Sequence, residues 1–492
     1  MPQTRLNAFK SVVDSHFFAL FEQDRVPSSQ ERNTIQALLA DRTAHLAHLN
    51  SQVPKRRGKK LRRELRIELD NTRRSIKFHR ALISPWRRLP VEILSEIFLF
   101  TLVPIESKGS LWNDDRDGTL LLCKICSTWR AIALRTPALW NVLSLQPKSL
   151  QHPLDWASNW LDRAQSFPVY LQTSWGVTAH PDVINAVISI FASHVHHTAA
   201  LWIVGVGDSG QPSFPLPDPY DARLLSSLCV HLPPGSSWDW IHAACQTSSR
   251  LTNLAISRFS FDWFPASNLK QLTELELLAP MPMSTAFQLL ENASSLEVFY
   301  IEIEGPGVAR SSVLVMKSVL TMEIACSDGE HLGQFLKQLE FPCLTSMAFR
   351  EVVSAWPERE CHSFLSRSSC ALKTLELINV RTPQDHIIAC LQHKACATLE
   401  WLHTNMQPTD ALLQHLTYRG HPFPNPKLRT IKLENIRAAD GHLSALVESR
   451  LFLSTTVTGL PPGVPVPAWL QRVRFTFVEG LAESQYVTHK ED

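Results

Sequence analysis

The hexapeptide Leu272-Thr273-Glu274-Leu275-Glu276-Leu277 decides the fold, because its pattern of apolar residues returns along much of the chain. The segment Leu372-Lys373-Thr374-Leu375-Glu376-Leu377 repeats it almost unchanged. Nine such hexapeptides lie between residues 225 and 433, and their first residues are 21 to 29 positions apart. Apolar residues that alternate with polar ones have the period of a β-strand. The sequence therefore predicts nine similar strands, whose first, fourth and sixth residues are Leu225, Leu228, Val230; Leu251, Leu254, Ile256; Leu272, Leu275, Leu277; Leu296, Phe299, Ile301; Val319, Met322, Ile324; Leu344, Met347, Phe349; Leu372, Leu375, Leu377; Leu399, Leu402, Thr404; and Leu428, Ile431, Leu433.

This pattern and spacing are typical of leucine-rich repeats, which the region resembles in a degenerate form. The Asn usual in that repeat is missing, since Asn379 and Asn435 lie one place early. Helix signals between the strands, such as Asp328 before an apolar segment, favour an α/β solenoid over residues 146–480. Additional strands are expected near Val169–Leu171, Leu201–Ile203 and Leu470–Phe475.

A repeat of this kind predicts a binding face, because every second side chain of each strand points to the same side of the sheet. We expect a protein target there, and the mixed charges leave the charge of that target open. The positions expected on this face include Thr273, Glu274, Glu276, Glu302, Lys373, Glu376, Arg429 and Lys432.

The first 83 residues read as helices. Residues 1–29 are interpreted as an N-terminal helix or tail, and residues 30–83 hold two apolar seams separated by Pro54 and Gly58. The seams fit a helical hairpin, or a short coiled coil with a partner. The basic run Lys55–Arg63 could serve nuclear import or touch nucleic acid, but a solvated connector is the interpretation that we favour.

Residues 84–145 form a separate helical module in this interpretation. One helix begins at Pro90 and carries apolar residues at helical spacing, a polar loop spans residues 103–119, and a second helix runs from Leu121 to Leu134. A unit this small cannot bury so many large apolar side chains by itself. The surplus is expected to meet another domain or a partner protein.

Two stretches of this module resemble an F-box. Leu89–Phe98 is similar to the opening signature LP-x-E-I-L-x-x-I-F, and Ile125–Arg130 is similar to the core V-C-x-x-W-R. The flanks Ser84–Arg88 and Thr136–Trp140 are similar to those of many fungal F-box proteins. The long loop between the two stretches departs from the family pattern. The resemblance implies a three-helix module that binds a Skp-type adaptor, itself attached to a cullin, through Leu89, Pro90, Ile93, Leu94, Ile97 and Phe98, with Trp129 within or beside the interface.

Composition narrows the classes of protein to which the chain can belong. The 492 residues are 44% hydrophobic and 19% charged with a net charge of +2, which is ordinary for a globular protein of two or three domains. No apolar run reaches the length of a membrane span, and the ten cysteines form no disulfide framework, so cytoplasm or nucleus is expected. The 14 tryptophans mostly fall outside basic stretches, and nucleic acid is an unlikely partner on this ground.

Three Cys/His groups could suggest chemistry: Cys123 with Cys126, His194 with His196 and His197, and the segment His386–Cys396. The first two groups lack the companions that a zinc site needs. The third, with His386, Cys390, His393 and Cys396, comes closest to a constellation, but surface histidines near buried cysteines are the interpretation that we favour. No phosphate loop or nucleophile elbow is present. No cofactor, metal or catalytic residue is therefore expected.

The fold class predicted is α+β and multidomain: N-terminal helices, a three-helix F-box-like module and a leucine-rich-repeat-like solenoid, followed by a polar tail over residues 481–492. The function implied is that of a non-catalytic substrate-recognition subunit of an SCF-type ubiquitin ligase. The alternative is a protein-interaction scaffold in which the F-box-like unit only caps the solenoid.

Overall fold

The computed structural model describes residues 16–22, 25–52, 59–101, 116–146, 155–206, 221–233, 238–264, 266–307, 310, 312–417, 425–438, 440–451, 468 and 470–477. Most of the polar loop expected over residues 103–119 and the whole expected tail 481–492 lie outside these residues. The chain divides into two compact units. The helical unit comprises Met1–Trp140 with Arg163–Gln165, and the sheet unit comprises Asn141–Asp162 with Ser166–Asp492.

The helical unit begins with α1 (Phe18–Glu22), α2 (Ser29–Gln52) and α3 (Lys59–Leu82). Helices α2 and α3 are antiparallel, because Ile35 near the start of α2 packs with Leu82 at the end of α3. A second buried cluster joins Leu49 near the end of α2 to Leu65 near the start of α3. The apolar seams read from the sequence therefore face each other within one chain.

A 3₁₀ turn (Pro85–Arg88) leads to α4 (Val91–Phe100), α5 (Arg116–Ile125) and α6 (Ser127–Leu134). The expected single second helix is wrong, because the chain becomes extended at Cys126, with φ −156° and ψ 172°. The Cys126 thiol accepts a hydrogen bond from the backbone N–H of Trp129 at 3.4 Å and so caps α6. Apolar residues continue at helical spacing across this break, so the sequence pattern gives no sign of it.

The sheet unit contains a sheet of 13 parallel strands in which successive strands are neighbours, apart from two short strands that pair with each other. The 13 strands are β1 (Val142–Leu145), β2 (Val169–Trp175), β3 (Thr198–Gly205), β4 (Ser227–His231), β5 (Asn253–Ile256), β6 (Glu274–Pro282), β7 (Val298–Glu304), β9 (Thr321–Ala325), β11 (Ser346–Arg350), β12 (Thr374–Ile378), β13 (Trp401–Thr404), β14 (Thr430–Ile436) and β15 (Arg472–Phe477). The separate pair is β8 (Leu314–Val315) with β10 (Leu339–Glu340).

After residue 146, the described part of the chain contains ten α-helices: α7 (Asp155–Ala164), α8 (Pro181–Ser193), α9 (Asp239–Thr247), α10 (Ala266–Lys270), α11 (Met283–Asn292), α12 (Gly329–Leu336), α13 (Glu358–Ser368), α14 (Gln384–Gln392), α15 (Asp410–Leu416) and α16 (Asp440–Leu451). Among the described residues, none of the chain's helices is both long and apolar enough to cross a membrane.

The nine predicted strands are confirmed, as is a mixed α/β fold around a large sheet. The fourth residues of the hexapeptides stand in register, for example Leu275 beside Phe299, and so do the sixth, for example Leu277 beside Ile301. Both rows are buried, so each strand covers its apolar side chains with those of its neighbours. Thr404, which broke the pattern in the sequence, occupies the sixth-residue row beside Leu433 and is also buried.

The unit boundary differs from the one expected at residue 145. Strand β1 pairs with β2, with Leu143 beside Leu171, and therefore belongs to the sheet unit. The helical hairpin and the three-helix module, expected as separate domains, lie in the same compact unit.

The turns after several strands use positive φ angles. Asn379 (φ 52°) and Asn435 (φ 59°) adopt this left-handed conformation, which Asn tolerates better than most residues. The backbone N–H of Asn379 donates to the side chain of Asn405 at 2.6 Å, and the amide of Asn435 donates to the backbone carbonyl of Asn405 at 3.1 Å. The displaced asparagines thus link the turns of β12, β13 and β14.

Candidate functional site

The seven residues predicted to contact an adaptor do not share one exposed face. Leu94 and Phe98 are only 3% and 1% exposed, so the structure places both side chains inside the unit, and their contact with an adaptor stays a prediction. They lie one helical turn apart on the inner side of α4, where the ring of Phe98 lies 4.8 Å from that of Trp129. Burial inside the unit therefore accounts for these two apolar residues without a partner.

The other five residues remain at or near the surface. Ile93 is 47% exposed, Pro90 is exposed, and Leu89, Ile97 and Trp129 are half-buried. The Trp129 ring also lies 6.4 Å from the ring of Trp86. Trp129 therefore links the buried side of α4 to the exposed 3₁₀ turn in front of it.

Several further large apolar residues are exposed on the same three helices and the turn before them. Phe100 is 87% exposed and Leu121 is 60% exposed. Soluble proteins rarely leave many large apolar side chains in water on so short a segment unless a partner covers them. Val91 is also exposed but lies on the opposite side of α4 from Phe100 by helical spacing. We call the other exposed residues the apolar surface; they are Trp86, Ile93, Phe100, Leu120, Leu121, Ile125 and Leu134.

Helical spacing could have identified much of this surface. Ile93, Ile97 and Phe100 recur at intervals of four and three residues, beside the row occupied by Leu94 and Phe98. The sequence cannot say which of these two neighbouring rows faces inward, because that depends on the position of α6. Phe100 was missed because it follows the signature segment.

Polar contacts hold the helices that carry the apolar surface. The Trp140 indole N–H donates to the carbonyl of Ala133 at 2.7 Å, and the Thr119 hydroxyl donates to the carbonyl of Leu139 at 3.1 Å. These contacts fix α5 and α6 against the segment that follows them. The helices that carry the apolar surface are therefore held in place by defined polar contacts.

The sheet unit offers a second surface, formed by the fifth residues of the repeats. Glu276 on β6 stands beside Tyr300 on β7, and Tyr300 beside Glu323 on β9. Farther along the same row, Glu376 on β12 stands beside His403 on β13. We call this row and its flanking residues the polar face. It contains the expected positions Glu276, Glu376 and Lys432.

Charges on the polar face are paired toward its later strands. Arg350 forms an ion pair with Glu323 and lies 3.7 Å from Glu376. A hydrogen bond with His403 lowers the pKa of Glu376, and a 2.7 Å contact with Lys432 lowers the pKa of Glu434. Both carboxylates are therefore held in the ionised state.

The earlier strands of the polar face carry carboxylates with raised pKa values. Burial, and then the Glu323 carboxylate, raises the pKa of Glu276. Burial, and then Glu304 and Glu351, raises the pKa of Glu302. Crowded acidic groups of this kind become easier to ionise when a cation approaches them. Burial, and then the Glu302 and Glu323 carboxylates, raises the pKa of the Tyr300 hydroxyl.

The Cys/His groups include members in buried surroundings. Burial lowers the pKa of His197 to about 4, and its ring lies 4.4 Å from that of His196. Hydrogen bonding to Cys390 and burial raise the pKa of the Cys361 thiol. Within the described ranges, no group of three or more His, Cys, Asp or Glu side chains is arranged to hold a metal ion.

Comparison with known proteins adds no relative to this picture. A scan of protein-family models finds none that matches the chain, and a search of curated proteins finds no significant match. The case for a function therefore rests on the two surfaces and on the residues themselves.

Proposed function

We propose that the protein is a non-catalytic substrate-recognition subunit of an SCF-type ubiquitin ligase. In this proposal the apolar surface of the helical unit docks a Skp-type adaptor, and through it a cullin. The sheet unit, as a leucine-rich-repeat-like solenoid, holds the protein target near the catalytic subunit of the ligase, where proximity raises the effective concentration of the target.

One observation carries the proposal: several exposed large apolar residues lie on the three helices whose sequence resembles an F-box. Ile93 belongs to the opening signature and Ile125 to the core motif, and both side chains are exposed. Each large apolar side chain that is covered on binding contributes about 1.5–3 kcal/mol. The apolar surface has enough such residues for a stable contact with an apolar groove.

Target capture is supported by the polar face. Its parallel strands present one side chain each to the same row, so that a target can contact several strands at once. Acidic groups prevail on β6 and β7 and cations appear on β14, for example Lys432. A target with complementary charges would be oriented along the sheet.

The adaptor proposal is tested with a double variant, Ile93→Asp with Leu121→Asp, in the full-length chain. Both side chains are exposed, so the helical unit should fold as before, while two carboxylates in an apolar contact would prevent docking. A pull-down with a purified Skp-type adaptor should lose the adaptor completely.

The matched control is Val177→Asp with Val206→Asp, which adds the same charges at exposed valines of the sheet unit. This control should retain the adaptor. If the wild-type chain captures no adaptor, or if the Ile93/Leu121 variant captures as much as wild type, the proposal fails and the scaffold alternative gains support.

A further inference from the structure

The chain's charge is divided unevenly between its parts, although its total is only +2. Residues 1–140 hold 24 Lys and Arg against 14 Asp and Glu, a formal charge of +10. Residues 141–492 hold 24 Lys and Arg against 32 Asp and Glu, a formal charge of −8. An asymmetry of this kind points to an anionic partner for the basic part.

Helix α3 concentrates the basic excess on one side. A helical period of 3.6 residues places six exposed cations within an arc of about 120° that begins beside the buried row of Leu65, Leu69 and Ile76. The exposed carboxylate of Asp70 lies within the same arc. This basic face spans 18 residues, from Arg63 to Arg80, and about 25 Å along the helix axis. It consists of Arg63, Arg66, Arg73, Arg74, Lys77 and Arg80.

Most of these cations have no internal partner. Among the ion pairs of the described residues, the basic face contributes one, between Arg73 and Asp70 at 3.8 Å. One large apolar side chain, that of Ile67 (45% exposed), lies at the edge of the basic face beside Arg63 and Arg74. Five of the six cations are arginines. Arginine binds phosphate oxygens in a bidentate manner, which lysine cannot do.

The surroundings argue against two other anionic partners. A membrane-bound basic helix inserts its apolar side into the lipid, but here that side is packed against α2 through residues such as Leu49 and Leu65. A protein interface places several apolar or aromatic anchors at its centre, whereas the basic face has one exposed apolar residue, Ile67, at its edge. A nucleic acid presents a regular line of phosphates, and binding to it requires neither an apolar side that inserts into lipid nor a set of apolar anchors.

We propose that the basic face of α3 binds the phosphate backbone of a double-stranded nucleic acid without regard to sequence. The face has no aromatic side chain on which bases could stack, so duplex contacts with phosphates are favoured over recognition of single strands. Its length of about 25 Å corresponds to roughly seven base pairs at 3.4 Å each. This site is separate from the adaptor and target surfaces and does not depend on the proposed ligase function.

The test measures fluorescence anisotropy of a labelled mixed-sequence DNA duplex of about 20 base pairs with the full-length chain, between about 50 and 200 mM KCl. The variant Arg66→Gln/Arg73→Gln/Arg80→Gln removes three cations spaced seven residues apart, and Gln keeps the helix because its propensity is close to that of Arg. The control Arg250→Gln/Arg258→Gln/Lys270→Gln removes the same charge from exposed positions of the sheet unit.

We expect the wild-type chain and the control to bind the duplex alike, with affinity that falls steeply as salt rises. The α3 variant should bind more weakly at every salt concentration, and its plot of log affinity against log salt should be less steep by about 2.7, or about 0.9 for each lost phosphate contact. No duplex binding by the wild-type chain, or an equal loss in variant and control, would overturn the proposal. Binding by the wild-type chain to vesicles rich in phosphatidylserine but not to the duplex would replace it with a membrane contact.

Discussion

Replacing Phe98 with Ala should weaken the helical unit far more than replacing its neighbour Ile93. Phe98 is 1% exposed and packs on Trp129, so Phe98→Ala removes a buried ring and leaves a cavity, at a cost of about 3–5 kcal/mol. Ile93 is 47% exposed, and Ile93→Ala should cost well under about 1 kcal/mol. The two substitutions thus separate the interior of α4 from its surface.

Hydrogen exchange of the full-length chain, followed on peptides from residues 84–101 and 116–140, measures this difference directly. A loss of about 3 kcal/mol in the free energy of opening raises the exchange rate roughly a hundredfold, whereas Ile93→Ala should change it less than about tenfold. Peptides from the sheet unit serve as the internal control and should not change. Equal exchange in the two variants, or wild-type protection in Phe98→Ala, would refute the inward position of Phe98.

Two further predictions concern buried groups of the sheet unit. Burial lowers the pKa of His197 from 6.5 to about 4. As the pH falls, the unfolded chain therefore binds a proton at this residue before the folded chain does. The contribution of the neutral, buried imidazole to the free energy of unfolding is complete above about pH 6.5 and is lost toward pH 4. The free energy of unfolding, measured by urea titration, should therefore fall less between pH 7 and pH 4.5 in His197→Gln than in wild type, by up to about 3 kcal/mol. An equal fall in the two proteins would contradict the assignment. Cys343 is exposed, whereas burial raises the pKa of Cys229 and Cys245, so a thiol-specific disulfide reagent should modify Cys343 first in the native chain. Cys343→Ser should abolish that fast phase; if the phase persists, a buried thiol is more accessible than the fold allows.

The strands could be predicted because their sequence signal is local. In segments such as Leu272–Leu277 and Leu372–Leu377, alternation of apolar and polar residues sets both the strand and the side that it buries. The register of neighbouring strands then follows from matching these rows. Thr404 escaped the pattern because a small polar side chain can occupy an apolar row when its neighbours cover it.

The helical unit was harder to predict because its signals depend on tertiary contacts. The break at Cys126 interrupts an apolar period that continues on both sides of it. The inward side of α4 is chosen by contact with α6, so the sequence could not separate the buried Phe98 from the exposed Ile93. The basic face of α3 was likewise read only as a run ending at Arg63, because its other cations are spread at helical spacing.

The central claim is that the apolar surface of the helical unit is the docking site for a Skp-type adaptor. Hydrogen exchange of the full-length chain with and without purified adaptor tests it most directly. The account predicts that adaptor binding slows exchange in peptides covering residues 86–100 and 120–134 and leaves the sheet strands unchanged. Slower exchange confined to the sheet unit, or no change anywhere at saturating adaptor, would contradict it.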